Sequence, residues 1–214
     1  MSRQHPVIID EAVVNRWIQR YLSINYKSLK DDEITVTEAV SPCLRRSYYA
    51  RTRVTQPTPV EFLKVAGQDI HLALQDILRG EGWDVEVSVA LPVNDFVLRG
   101  RIDAVKEDTI IEFKTSSNMP EDSPYESHEL QAQAYITMMH ASQAYIIYLS
   151  RANGKTKVYR IHPNKQALKQ VVERAKQLHQ ALKNGQPPQR TRGPWCSYCS
   201  YRPNCTTLLA PPKR

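Results

Sequence analysis

No long hydrophobic run interrupts this sequence. Its longest strongly apolar stretch, Ala144 to Leu149, is far too short to cross a bilayer, and the polar N-terminus has no secretory h-region. No membrane partner is expected, and the expected location is the cytoplasm. Internal repeats are also lacking, which excludes stacked-repeat architectures. Cysteine is scarce, at four in 214 residues. In a reducing compartment four thiols suit metal ligation or free thiols better than disulfides. Apolar content of 41% and charged content of 24% leave no compositional ground for wholesale disorder or a fibre.

What is present is enough chain for one sizeable domain with its own core, and an excess of cations. The formal net charge is +7 and the pI about 9.2. That balance points to an anionic partner, most commonly nucleic acid. No periodic signature of an oligomer interface stands out.

Hydrophobic periodicity predicts an amphipathic helix over residues 7–22 and another from Pro59 to Leu78 that carries His71. Thr37 is expected to cap a short helix that Pro42 bends. Alternation in "DVEVSVAL" begins three consecutive strands, which implies an antiparallel meander. A helix follows, "HELQAQAYITMMHAS", with Ser127 as its expected cap and Gln131 and Tyr135 one turn apart. "QAYIIYLS" and "TKVYRI" then read as strands joined at Asn153-Gly154, and Pro163 and Gly185 frame a last long helix. The division expected is an N-terminal helical segment over 1–58, a main core over 59–185 and a cysteine-rich tail over 186–214.

The charged residues of "RGRIDAVKEDTIIEFKTSS" stand out against this pattern. A two-residue loop at Glu107-Asp108 sets Asp103 directly opposite Glu112, and period-two alternation adds Lys114 to the same face. Ile102, Ala104, Ile111 and Phe113 fall on the other face, which is expected to pack against a helix. Two carboxylates about 5 Å apart repel each other. A divalent cation would compensate, because carboxylate oxygens suit Mg²⁺ or Mn²⁺ and a lysine alongside could position an attacking water. The plainer alternative is an exposed hairpin face on which Lys114 and Arg101 neutralise the acids.

Cys196, Cys199 and Cys205 lie close together in sequence, with Cys43 far upstream. A structural zinc more often uses two C-x-x-C pairs, and one is present here, so the one-plus-three split favours an iron-sulfur cluster. Such a cluster would tie the tail back across a loop of about 150 residues. Around Cys43 lie Arg45, Arg46, Tyr48 and Tyr49, and around the others Arg190, Arg192, Trp195 and Tyr198. Cations interleaved with aromatics suit single-stranded DNA, through phosphate neutralisation and base stacking.

"GRIDAVKEDTIIEFKT" resembles the aspartate, then Glu-x-Lys, signature of the PD-(D/E)XK nuclease superfamily. "GQDIH", with Gly67 and His71, "QAQAY", with Gln131 and Tyr135, and the split cysteines resemble its RecB-like branch. Within it the likeness is to the CRISPR-associated Cas-four exonucleases, over roughly residues 35–207. The usual proline before the aspartate is Ile102 here. The resemblance implies an α/β (α+β) restriction-endonuclease-like core with a central mixed sheet flanked by helices. It also implies that His71, Asp103, Glu112 and the Phe113 carbonyl hold Mn²⁺ or Mg²⁺, with Lys114 catalytic. Gln131 and Tyr135 would contact DNA or hold Lys114. The four cysteines would bind a cluster, 4Fe–4S in preference to 2Fe–2S. The activity implied is 5′ to 3′ exonuclease action on single-stranded DNA ends, trimming them for CRISPR spacer acquisition beside integrase proteins. Two other expectations stay open, a DNA-end-binding subunit that cleaves little and a RecB-like repair nuclease.

Overall fold

A computed structural model describes residues 30, 32–53 and 59–207, with side chains omitted for 59–69 and 206–207. The expected helix over 7–22 lies outside these residues, as do the side chains around Gly67.

One mixed sheet organises the chain. It contains β1 (Glu33–Thr35), β2 (Asp84–Val93), β3 (Phe96–Lys106), β4 (Thr109–Ser116), β5 (Gln143–Ser150) and β6 (Thr156–Ile161). The β2–β3, β3–β4 and β5–β6 pairs are antiparallel, whereas β1–β3 and β4–β5 are parallel. Parallel neighbours need a long crossover, and α4 (Glu126–Met139) supplies it between β4 and β5. The other helices are α1 (Val36–Ala39), α2 (Leu44–Thr52), α3 (Pro59–Gly80), α5 (Lys165–Asn184) and α6 (Arg202–Thr207), with a 3₁₀ turn at Pro194–Tyr198.

The arrangement around β3 positions the site. β2 runs along one edge of this strand for most of its length, while β1 and β4 share the other edge. β1 pairs with Val97–Arg99 and β4 with Ala104–Lys106, so Gly100 to Asp103 face a gap between them. The β3–β4 register follows from the two-residue loop expected at Glu107-Asp108, where Glu107 takes a left-handed φ of 53°.

Two apolar clusters cover the sheet. The larger joins β-strand residues such as Leu98, Ile110 and Ile146 to Ile136 of α4 and Val171 and Leu178 of α5, and also takes in Ile34, Val36 and Tyr49. Residues 33–52 thus add a strand and core side chains to the same body as the segment 59–185. The smaller cluster sets Ala104, Ile111 and Phe113 against Leu74 and Leu78 of α3. Ile102, expected beside them, packs in the larger cluster instead. The β2–β3 ladder is interrupted between Ile102 and Ala104, where Glu86 takes φ 56° opposite Asp103.

Two helices start before the residues expected to cap them. Thr35, not Thr37, caps α1, in a capping box with Glu38. Tyr125 precedes α4, and Ser127 lies inside it. The last long helix has the expected ends, with Asn164 accepting from the Gln166 amide and Gly185 at φ 67°.

Candidate active site

The β3–β4 ladder stops at Ala104 and Ile111, just before Asp103 and Glu112 would pair. Across the opening, the Phe113 amide donates to Asp103 Oδ2 at 2.7 Å, so a side chain replaces a ladder bond. The same Asp103 oxygen lies 3.9 Å from His71 Nδ1. Lys114 Nζ donates to Glu112 Oε2 at 2.8 Å. These contacts bring His71, Asp103, Glu112 and Lys114 to one end of the β3 gap.

Glu112 is only 1% exposed. Burial raises its carboxyl pKa to about 7, against the pull of the adjacent Lys114 ammonium, and Asp103 adds to the rise. Burial also lowers His71 below the usual imidazole range despite the Asp103 carboxylate, and Lys114 lowers it further. Both effects disfavour charge on these two side chains.

Two buried atoms here have no hydrogen-bond partner, Glu112 Oε1 and His71 Nε2. An unpaired buried acceptor is costly; a carboxylate oxygen suits Mn²⁺ or Mg²⁺, and a neutral imidazole nitrogen suits Mn²⁺ better than Mg²⁺. The donor set of two carboxylates and an imidazole therefore fits a divalent cation chemically. Among the described residues, no group of three or more His, Cys, Asp and Glu side chains converges as one metal ion would require. Phe113 contributes its amide to Asp103 and its ring to His71, with centroids 6.0 Å apart.

From α4, Gln131 Nε2 donates to Tyr135 Oη at 3.3 Å, and that hydroxyl accepts the Arg101 amide at 3.3 Å. The pair is thus anchored to β3 backbone inside the gap. Among the described residues neither bonds Lys114. Burial, with the Glu112 carboxylate, keeps the Tyr135 phenol protonated.

Several neighbours escaped the sequence reading. Gln75, one turn beyond His71 and buried, donates to Glu86 Oε1 at 2.7 Å, while Arg101 pairs with Glu86 Oε2 at 2.8 Å. Helical spacing from His71 could have flagged Gln75, but the left-handed φ of Glu86 leaves no local signal. His128 precedes Gln131 by one turn on α4, and Tyr148 is the β5 partner of Lys114. The first was open to detection by spacing. The second requires knowing that β4 and β5 are parallel.

Away from this site, one pocket is lined by all four cysteines together with Arg45, Arg190, Trp195 and Arg202. Its cavity volume is about 30 Å³, and it opens in part to solvent. Cys43 is buried and the other three are half-buried. Arg190 Nε and Trp195 Nε1 in its lining are sealed from solvent without an acceptor.

The family profile of the PD-(D/E)XK nuclease superfamily matches residues 81–206, more than half of the chain and including Asp103, Glu112 and Lys114. The chain belongs to the PD-(D/E)XK nuclease superfamily. No curated protein matches it in sequence. The crystal structure of SSO0001 is similar to this nuclease-superfamily chain with a TM-score of 0.65 and 22% identity. The match covers 94% of this chain and 98% of that one, and it shows a shared fold. The alkaline exonuclease LHK-Exo from Laribacter hongkongensis is more distant, with a TM-score of 0.47 and 13% identity over 84% of this chain and 95% of its own. No helix among the described residues is long and apolar enough to cross a membrane.

Proposed function

We propose that this chain is a metal-dependent DNA exonuclease of the Cas-four kind, acting 5′ to 3′ on single-stranded ends and trimming them for CRISPR spacer acquisition beside integrase proteins. The observation that carries the nuclease reading is the meeting of Asp103, Glu112 and Lys114 beside two unpartnered buried atoms, Glu112 Oε1 and His71 Nε2.

Asp103 and Glu112 would hold Mn²⁺ or Mg²⁺, with His71 and the Phe113 carbonyl completing the protein's share. When bound, the cation supplies positive charge against a phosphate oxygen and acidifies water near it. Asp103 is already aimed by the Phe113 amide. Lys114 rests on Glu112 and, once that carboxylate is engaged elsewhere, its Nζ is free to orient the attacking water. That water's oxygen bonds to phosphorus as the bond to the leaving nucleotide oxygen breaks. Gln131 and Tyr135 hold the β3 backbone at Arg101, so their part is to fix the spacing of the gap beside the acids.

The four cysteines would bind a 4Fe–4S cluster. A cluster spreads its thiolates over several iron atoms, so thiols lining one pocket without converging on a point suit it better than a single zinc ion. The arginines and aromatics of the same lining suit single-stranded DNA.

Single-stranded DNA labelled separately at its 5′ and 3′ ends, incubated with Mn²⁺, tests activity and direction together. Release of the 5′ label as mononucleotides, with the 3′-labelled strand shortening stepwise, is expected. Internal cuts from both labels would replace the exonuclease reading with an endonuclease. Binding without cleavage would favour the end-binding alternative.

A further inference from the structure

The active-site row continues onto β5 and α4 in a way the acid-acid-lysine set does not use. Lys114 and Tyr148 are register partners on parallel strands, so their side chains share one face of the sheet. Tyr148 is fully buried, and its Oη lies 2.7 Å from His128 Nδ1. His128 stands on α4 three residues before Gln131 and seven before Tyr135, on the helix face turned to the same gap. The Lys114 charge reaches it, because burial and then Lys114 push its imidazole pKa down to about 3.

The hydrogen bonds fix its tautomer. Tyr148 Oη already accepts the Tyr125 amide at 3.2 Å. If His128 Nδ1 also donated to it, the Tyr148 hydroxyl proton would be buried without an acceptor, at a cost of about 1–3 kcal/mol. The hydroxyl therefore donates to Nδ1, and the ring proton sits on Nε2. Aromatic contacts hold the ring in place: Tyr125 meets it edge-on, with centroids 5.7 Å apart and planes at 76°, and Tyr148 lies 5.6 Å away. Among the described residues Nε2 has no hydrogen-bond partner, and it is not sealed from solvent. A rigid, neutral N–H donor is thus presented one residue across from Lys114, through Tyr148, on the same face of the sheet.

We infer that His128 Nε2–H is a substrate-binding donor for a phosphate oxygen of the DNA strand that lies over Lys114, with Tyr148 and Tyr125 as its positioning residues. This rests on the nuclease reading and adds a binding group to it. A neutral donor suits the place: a second cation beside Lys114 would be repelled, whereas an N–H can contact a phosphate oxygen without added charge. No proton or bond is transferred at this position.

The test is binding of fluorescent single-stranded DNA by full-length protein in EDTA, across a salt series, with cleavage in Mn²⁺ measured separately. His128→Ala is expected to weaken binding by about 10-fold, the loss of one hydrogen bond to a charged group. Its salt dependence should keep the wild-type slope, since no phosphate-neutralising cation is removed. KM should rise and kcat stay within about 2-fold. His128→Gln, which keeps an N–H at similar reach, should recover most of the affinity, and Tyr148→Phe should lose part of it. Thermal melts of the variants separate binding loss from misfolding, and His128→Gln serves if His128→Ala does not fold. Wild-type affinity in His128→Ala overturns the proposal while leaving the nuclease reading intact, and so does a salt slope shallower by about one. Wild-type protein that binds DNA through His128 yet never cuts it would sink the nuclease reading and leave the binding role standing. Failure of wild-type protein to bind in EDTA would overturn the His128 proposal, and only the absence of cleavage in Mn²⁺ as well would end the nuclease reading.

Discussion

Glu112 is a carboxylate held where a carboxylate is least at ease, and its energetics can be checked without substrate. In the unfolded chain it titrates near 4.5, whereas in the folded chain burial raises it to about 7. Below pH 4.5 the group is protonated in both states and costs nothing. Between the two values the folded state keeps a proton that the unfolded state has released, so stability falls as pH rises through that window. The full shift corresponds to a loss on the order of 3 kcal/mol above pH 7. Chemical denaturation in chelator at pH 5 and pH 8 should show wild type losing stability relative to Glu112→Gln as pH increases. A difference that stays constant between the two pH values would mean that Glu112 is ionised at no cost. At this scale the sequence was informative where local geometry sufficed: the hairpin loop alone set Asp103 against Glu112 and Lys114. It was silent on Glu86, whose left-handed φ depends on the surrounding strands and on the buried Gln75 that grips its carboxylate.

Among the elements, the gap in the edge of β3 is filled by a side chain in place of a strand, and Gly100 makes the room. A Cβ built there would overlap Tyr135 Cε1 and stand 2.9 Å from its Cζ. Gly100→Ala must push the Tyr135 ring away, and with it the hydroxyl that accepts the Arg101 amide. A destabilisation of about 1–3 kcal/mol is expected from the overpacking. Cleavage should fall as well, and Tyr135→Leu in the same chain should recover part of the stability by relieving the clash. If Gly100→Ala melts and cuts like wild type, Tyr135 does not set the spacing of the gap. The long elements were legible because each carries its own periodicity and punctuation, as in α5 between Asn164 and Gly185. β1 was not, since three residues show no period, and it is a strand only because β3 offers an edge. The α1 start was misplaced by two residues because Thr35 and Thr37 are equally good caps until Glu38 chooses between them.

For the whole molecule, the ends of the described chain are tied to each other across the core. Arg174 Nε on α5 donates to the Ala39 carbonyl at 2.6 Å, Arg45 Nε donates to the Pro188 carbonyl at 2.7 Å, and Cys43 shares a pocket with the three tail cysteines. Tyr201 and Cys205 pack against the main core, with the Tyr201 ring 6.1 Å from that of Tyr49, while Cys196, Cys199 and Cys205 remain half-buried. If the proposed cluster adds to these ties, wild type should carry iron after anaerobic purification, and Cys43→Ala should lose most of it and expose residues 186–207 to protease, with the core left folded. Iron content equal to wild type, or stoichiometric zinc in its place, would refute the cluster assignment. This long-range contact was readable in outline, because one cysteine apart from three makes sense only if the chain brings them together. The burial of residues 33–52 in the same core was not, as it depends on how α5 and the edge of β3 receive them.

The most direct measurement is the initial rate of nucleotide release from single-stranded DNA by wild type, Asp103→Ala, Glu112→Ala and Lys114→Ala, with Mn²⁺, with Mg²⁺ and with EDTA. A metal-dependent rate that EDTA abolishes and each substitution lowers by about 10²-fold or more is predicted, in keeping with the loss of a group that acts in the transition state. Equal rates in wild type and the Asp103 and Glu112 variants, or a rate indifferent to EDTA, would show that the charged row at the β3 gap is structural.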